Sequence, residues 1–194
     1  MKAIDILKYT TKEELSRYKH LTACREFASE LLDTIDISLD IKEKILNTIL
    51  LHDIGYSEVI SHTGYHSLDG YHYLKNNHPN VCYYNAILLH SDFVNTCPTE
   101  YTDFVIDIYN SLSDLEFAIL IFLDYCDSHI DGTGNEVTLE GRWIDLHNRY
   151  NDKPEKLQEL QDILSYASHV EKIVNRMLDL MPKFVSEVET EKDF

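Results

Sequence analysis

The sequence predicts an all-α fold, a helical bundle formed by a single domain with a C-terminal helix. Apolar residues recur at spacings of three and four along almost the whole chain, which is typical of helices. Sustained alternation of apolar and polar residues, which would indicate strands, is hard to find. The 194 residues include only six glycines and four prolines, which leaves few places for tight hairpins.

The helices follow from this periodicity in order along the chain. Thr11 followed by Glu14 forms the pattern of a capping box, so the first helix is predicted to open there. Gly55 falls where the second helix must end. The loop before residue 139 is rich in turn residues, including Gly132 and Gly134. The predicted helices cover residues 12–33, 41–53, 67–77, 81–91, 100–110, 113–127, 139–150 and 154–181.

Composition excludes several classes of protein. The formal net charge is −17, and such a surface repels the phosphate backbone, so we expect no nucleic-acid partner. No apolar run approaches the ~18 residues of a membrane span, and residues 1–20 lack the apolar stretch of a signal peptide. The four cysteines form no C-x-x-C pair and are expected to be reduced thiols. We therefore expect a cytoplasmic protein without a membrane partner.

Ionisable side chains occur where a helix core usually has Leu or Ile. His52 and Asp53 end the run Ile-Leu-Leu-His-Asp, and His90 ends Ala-Ile-Leu-Leu-His. His20 lies inside the first predicted helix, and Asp127 ends Phe-Leu-Asp-Tyr-Cys-Asp. Burying such groups is costly unless they are paired or neutralised, so a cluster of them predicts a shared cation. Imidazole suits zinc, iron, manganese, nickel or copper, and the carboxylates favour harder metals.

These residues, in this order, resemble the HD superfamily of metal-dependent phosphohydrolases, which is named for its His-Asp doublet. The run LLHDIGYSEVISHTGYHSLDGYHYL resembles a subgroup of small bacterial HD-domain proteins. In that subgroup the doublet precedes a Thr-Gly-aromatic-His-x-x-Asp-Gly segment. This chain matches the segment with Thr63, Gly64, Tyr65, His66, Asp69 and Gly70, and later elements with His90-Ser91, Tyr125-Cys126-Asp127 and Val137 to Arg142. The resemblance covers about residues 15–150 of the single domain 1–194, and the helix at about 154–181 follows it.

The resemblance implies a set of metal ligands. His20, His52, Asp53 and Asp127 would hold one divalent transition metal, which is iron, manganese, zinc or nickel. Asp53 would bridge toward a second ion in members that carry two, and there His66 and His90 would complete the site. Asp124 lies one helical turn before Asp127 on the same face and is the alternative ligand.

The expected function is hydrolysis of a phosphomonoester or phosphodiester of a small molecule, with a nucleotide as the expected substrate. A bound metal lowers the pKa of its water and makes hydroxide available. Asp53 would be the catalytic residue that orients this hydroxide, and Arg17 and Arg142 would contact the phosphate. Specificity would lie in the loops at residues 54–66, 91–100 and 128–138.

Two other functions remain open at this point. The chain could be a non-catalytic helical module that keeps a metal for stability or senses a nucleotide. A mixed set of histidines and carboxylates can also hold two irons, as in an oxygen-dependent enzyme.

Overall fold

The computed structural model, which describes residues 2–150, 161 and 165–174, confirms the all-α prediction. In these residues no β-strand occurs, and the only β-type pairing is an isolated antiparallel bridge between Ile130 and Glu136. Short 3-10 turns cover Ile54–Tyr56 and Thr99–Tyr101. The α-helices are α1 (Ala3–Thr10), α2 (Ser16–Leu32), α3 (Leu39–Leu51), α4 (His66–Asn77), α5 (Tyr84–Leu89), α6 (Phe93–Thr96), α7 (Thr102–Asn110), α8 (Asp114–Ser128) and α9 (Leu139–Tyr150).

The N-terminal region differs from the prediction of one helix over residues 12–33. A separate helix, α1, precedes it and buries Ala3, Ile6, Leu7 and Thr10, which share one helical face. The predicted capping box at Thr11 is wrong, because this residue caps the C-terminus of α1 and its backbone N–H donates to the carbonyl of Leu7. The chain turns before α2 begins at residue 16.

Two hydrophobic clusters share helix α3. The larger cluster joins α2, α3, α5 and α8, and Ile49 contributes to it from α3. The smaller cluster includes residues of α1, α2, α3 and α5, with α1 packed against α3, and Leu50 and Leu51 contribute to it. Because successive residues of α3 enter different clusters, the rotation and the C-terminal end of this helix are fixed by packing on both sides.

Gly55 holds the first 3-10 turn against the start of α4. A Cβ atom at this position would lie 1.9 Å from the carbonyl oxygen of His66, so only glycine permits this approach. The close contact brings the chain segment after α3 beside the first residue of α4.

The predicted C-terminal helix lies partly outside the described residues. Residues 165–174 are helical, and Val170 and Val174 are buried in the larger cluster. The other residues of the 154–181 prediction, apart from residue 161, are not described. Within the described part of the chain, no helix has both the length and the apolar character that crossing a bilayer requires.

Candidate metal centre

The structure brings the six predicted ligand residues to one place, where several helices end. His20 lies in α2, His52 follows the last residue of α3, and Asp53 precedes the 3-10 turn. His66 is the first residue of α4, His90 directly follows α5, and Asp127 lies in the last turn of α8. Residues separated by more than 100 positions in the sequence therefore meet in one cluster.

The backbone fixes the orientation of two of the imidazoles. The Nδ1 atom of His52 lies 2.8 Å from the carbonyl oxygen of Ile49, and Nδ1 of His90 lies 2.6 Å from that of Ile87. A carbonyl oxygen can only accept a hydrogen bond, so each Nδ1 carries the proton and donates it. The opposite nitrogen, Nε2, then faces the centre of the cluster, which is the orientation of metal-binding histidines.

The third imidazole is held in the same way by a distant loop. Nδ1 of His20 donates to the carbonyl oxygen of Asp131, at 2.9 Å. The Asp131 side chain accepts hydrogen bonds from the backbone N–H groups of Thr133 and Asn135, which fixes the loop that carries this carbonyl. Nε2 of His20 lies 3.0 Å from Oδ1 of Asp127.

Nε2 of His52 is a buried polar atom without a hydrogen-bond partner. The His52 side chain has no exposed surface, and its Nε2 lies 3.6 Å from Oδ2 of Asp53 and 3.7 Å from Oδ1 of Asp127. Such an orphaned atom is costly in a protein interior unless something binds it. A cation placed between this lone pair and the two carboxylates would satisfy all three groups.

The two oxygens of Asp53 face different sides of the cluster. Oδ1 lies 3.1 Å from Nε2 of His66 and 3.4 Å from Nε2 of His90. Oδ2 faces His52 and forms an ion pair with Arg17. Asp53 therefore belongs to two groups whose ligand atoms lie close enough to hold an ion: one contains His20 and His52, the other His66 and His90.

The carboxylates of Asp53, which is buried, and of Asp127, which is half-buried, are both held in the ionised form. Burial raises the pKa of Asp53, but its contacts with His52, Arg17 and His66 outweigh this effect and hold the pKa well below its usual range. Burial acts likewise on Asp127, and contacts with His20 and His52 again lower its pKa well below the usual value. The centre thus concentrates negative charge inside the protein, which favours a bound cation.

The structure separates the roles of the two candidate carboxylates in α8. Asp127 faces His20 and His52, as described above. Asp124 instead accepts a hydrogen bond from the backbone N–H of Ser91 at 2.7 Å and one from the Tyr166 hydroxyl at 2.8 Å. Asp127 is therefore the residue in contact with the imidazoles, and Asp124 joins α8 to the segment after His90 and to the helix at residues 165–174.

The two arginines predicted to contact phosphate lie at the rim of the centre and contact its carboxylates. Arg17 pairs with Asp53, and its side chain is 35% exposed. Nη2 of Arg142 lies 3.6 Å from Oδ1 of Asp127, and Nη1 lies 3.7 Å from Asp145. Positive charge from the protein is thus present beside the predicted ligands.

Tyr56 takes part in the centre although its sequence position gave no reason to select it. Its ring stacks on the imidazole of His66, with centroids 4.1 Å apart, and the guanidinium of Arg17 lies 4.3 Å above the ring. The stacking contact restrains the imidazole of His66, whose side chain is more exposed than those of His20, His52 and His90.

A cavity of about 760 Å³ lies elsewhere, between the N-terminal segment and α4. None of the six predicted ligands lines this cavity. Its walls include His62 and Thr63 from the loop that was predicted to contribute to specificity.

Comparison with known proteins leaves the family open. No protein-family model, curated protein or solved structure matches the chain. Functional inference therefore depends on the residues of the centre and on their geometry.

Proposed function

We propose that this protein is a metal-dependent phosphohydrolase of the HD superfamily. The expected substrate is a phosphomonoester or phosphodiester of a small molecule such as a nucleotide. The observation that supports this proposal best is the sharing of Asp53 between two groups of ligands, together with the unpartnered Nε2 of His52. A carboxylate with one oxygen toward each group is suited to bridging two ions, and paired ions are common in enzymes that hydrolyse phosphate esters.

The donor set fits iron, manganese, zinc or nickel, because it combines neutral imidazole nitrogens with carboxylate oxygens. When bound, these ions would supply Lewis-acid stabilisation of phosphate charge and would lower the pKa of water. Three of the imidazoles are already oriented by backbone carbonyls. Little rearrangement of the ligands is needed before an ion binds, and such preorganisation is what catalytic sites require.

The protein's own groups would bind and orient the substrate. Asp53 would hold the metal and orient the attacking hydroxide. Arg17 and Arg142 pair with Asp53 and Asp127. Once bound metal offsets the charge of these carboxylates, the two arginines would contact the phosphate, because a guanidinium matches the geometry of phosphate oxygens. With a net charge of −17, the protein needs this local positive charge to admit an anionic substrate, and a nucleic-acid polymer is not the expected partner. A cytoplasmic location remains part of the proposal.

The proposal is tested with protein that has been freed of metal and reloaded with each candidate ion. A panel of nucleotides and simple phosphate esters is then assayed for release of phosphate. We expect turnover of at least one ester, and loss of turnover after chelation or in Asp127→Asn. The control is Asp124→Asn, which alters a buried carboxylate of the same helix that does not face the imidazoles.

The outcomes also separate the alternatives. Stoichiometric metal and tight nucleotide binding without turnover of any ester would identify a non-catalytic module and contradict the proposal. Product formation that requires both iron and dioxygen would identify an oxygen-dependent enzyme instead.

A further inference from the structure

We propose that Asp69 is a positioning residue, which fixes the turn from which His66 enters the centre. The inference rests on the proposed function, because it concerns the ion that Asp53, His66 and His90 would hold together. Asp69 itself belongs to none of the ligand groups found among the described residues. It would act on the ion only through His66.

His66 lacks the hydrogen bond that orients the other three imidazoles of the centre. Nδ1 of His20, His52 and His90 donates in each case to a backbone carbonyl oxygen. Within the part of the chain that the structure describes, Nδ1 of His66 makes no such bond, and the polar contacts of this ring all involve Nε2. The direction of the His66 imidazole therefore depends more strongly on where the backbone places residue 66.

The backbone reaches residue 66 through a turn on the surface. Residues 61–65 are exposed, and Gly64 has a φ of +85° with open space around it. Tyr65 is the N-cap of α4, and its side chain makes no capping hydrogen bond. Neither packing around Gly64 nor a cap at Tyr65 holds the start of the helix, so another group must fix the turn.

The carboxylate of Asp69 makes the contacts that fix this turn. Asp69 lies one helical turn after His66 and is buried, with 4% of its surface exposed. Its Oδ2 accepts hydrogen bonds from the backbone N–H groups of His62 at 3.0 Å and Thr63 at 3.1 Å, and its Oδ1 lies 3.1 Å from the same Thr63 nitrogen. The backbone N–H of Asp69 donates to the carbonyl oxygen of Tyr65 at 3.0 Å. One residue thus holds both ends of the turn.

The hydroxyl of Thr63 extends this network to the residue before the ligand. The backbone N–H of Tyr65 donates to Oγ1 of Thr63 at 3.1 Å. Hydrogen bonds therefore lead from the Asp69 carboxylate through Thr63 to Tyr65, which directly precedes His66. The His66 carbonyl is placed separately by its close approach to Gly55.

A carboxylate suits this position better than a neutral side chain. An ionised carboxylate offers acceptors alone, and its bonds to N–H groups are stronger than those of a neutral acceptor. In Asp69→Asn, an amide nitrogen replaces one of the two oxygens and would direct its own N–H groups toward the N–H of Thr63. The substitution keeps the shape of the side chain and loses part of the network, whereas Asp69→Ala loses all of the side-chain bonds.

Metal binding tests this role directly. Metal-free full-length protein is titrated with zinc(II) and, separately, with manganese(II) by calorimetry, and bound ions are counted by elemental analysis. We expect Asp69→Asn to bind one of the two ions about 10–100-fold more weakly, the usual cost of removing a group that orients a ligand. The ion at His20, His52 and Asp127 should bind as in the wild type.

A double variant distinguishes positioning of His66 from a general structural effect. If Asp69 acts through His66, then adding Asp69→Asn to His66→Ala should weaken metal binding no further, because the two changes remove the same contribution. Additive losses would show that Asp69 acts by another route and would overturn the inference.

Hydrogen exchange provides a measurement that needs no metal. The amides of His62 and Thr63 lie in an exposed turn, so their protection depends on the Asp69 carboxylate. We expect both amides to exchange about tenfold faster in Asp69→Asn, the effect of losing one hydrogen bond. Unchanged exchange at both amides would refute the anchoring of the turn.

Tyr71→Phe is the matched control. Tyr71 is buried in the same helix two residues after Asp69, and its hydroxyl accepts a hydrogen bond from Nζ of Lys75 at 2.6 Å. This variant also keeps its shape and loses a hydrogen bond, but it leaves the turn before His66 intact. It should bind both ions as the wild type does. Equal weakening of one ion in Tyr71→Phe would indicate a general sensitivity of α4 and contradict the specific role of Asp69.

Thr63→Val keeps the test decisive if the Asp69 variants fail to fold. It removes the hydroxyl that bonds to Tyr65 from an exposed residue, and it should weaken the same ion by a smaller factor. Two ions bound with wild-type affinity in the variants of Asp69 and Thr63 would refute the positioning role and leave the metal centre intact. A wild type that binds no zinc or manganese would refute the metal centre itself, and a wild type that binds one ion would refute the site that His66 completes.

Discussion

Replacing Asp53 by Asn removes the charge that both ligand groups share. The substitution keeps the shape of the side chain, so the packing around the end of α3 should persist. Asp53 belongs to both groups, because it presents Oδ1 to His66 and His90 and Oδ2 to His52. We therefore expect Asp53→Asn to weaken metal binding at both positions together.

The size of the effect follows from the linkage between binding and folding. An ion present at 100 times its dissociation constant stabilises the folded state by about 2.7 kcal/mol. For a domain of about 150–250 residues, 1 kcal/mol corresponds to about 2–4 °C in Tm, so each ion should raise Tm by roughly 5–11 °C. Asp53→Asn should lose most of this gain, and its kcat should fall by at least ~10²–10³-fold, the cost of removing one charge-stabilising group.

The assay compares the metal-dependent rise in Tm and the metal content of Asp53→Asn with those of Asp124→Asn. The control removes a buried carboxylate that bonds to Ser91 and Tyr166 rather than to the imidazoles. Asp124→Asn should bind the wild-type amount of metal. If Asp53→Asn keeps the full rise in Tm and hydrolyses a good substrate at the wild-type rate, then the assignment of Asp53 as a shared ligand is wrong.

Three further predictions concern neighbouring residues. His66→Ala or His90→Ala should lower the metal content of the loaded protein from two ions per chain to one and reduce turnover by about tenfold to a thousandfold. If anomalous scattering finds a single ion in the loaded wild type, this prediction is wrong. Gly55→Ala should lower the free energy of unfolding by roughly 1–3 kcal/mol, because its Cβ would meet the carbonyl oxygen of His66 at 1.9 Å. The control in denaturant titrations is Gly141→Ala, whose Cβ has no neighbour closer than 3.4 Å. Equal stabilities of the two variants would refute the contact. Burial raises the pKa of Asp124 from 3.8 to about 7. Between these two pH values the unfolded chain loses the Asp124 proton while the folded protein keeps it, so the wild type becomes less stable as the pH rises. The free energy of unfolding of Asp124→Asn, measured relative to the wild type, should therefore increase from pH 3.8 to about pH 7 by at most about 4 kcal/mol. A difference that does not change with pH would contradict the raised pKa.

Hydrophobic periodicity was sufficient to predict the helical class and most helices of the described region. The predictions for residues 139–150 and 67–77 agree with α9 and α4 to within one residue. The same reasoning selected the histidines, because an ionisable group that follows Ile-Leu-Leu cannot be buried cheaply without a partner. These inferences depend on local properties of the chain, which a sequence displays directly.

The local sequence pattern gave a wrong helix boundary at Thr11, where tertiary packing favours a different helix. Thr11 and Glu14 have the spacing of a capping box, but burial of Ile6 and Leu7 against α3 favours a separate helix that ends at Thr10. The energy gained by packing an apolar face exceeds that of one cap. Periodicity shows that a face is buried, and it does not show what buries it.

The direction of individual polar atoms was decided by tertiary packing alone. Asp124 and Asp127 are equivalent in spacing, and only the position of α8 beside α2 and α3 turns Asp127 toward His20 and His52 and leaves Asp124 to Ser91.

The protonation pattern of the imidazoles has the same origin. Nδ1 of His20 is engaged by the carbonyl of Asp131, 111 residues away in the sequence. The candidate ligands could be selected from the sequence, because that selection depends on residue chemistry and on expected burial. Ligand orientation could not be predicted, because it depends on where the ends of separate helices meet, and that is set by the contacts of the whole hydrophobic core.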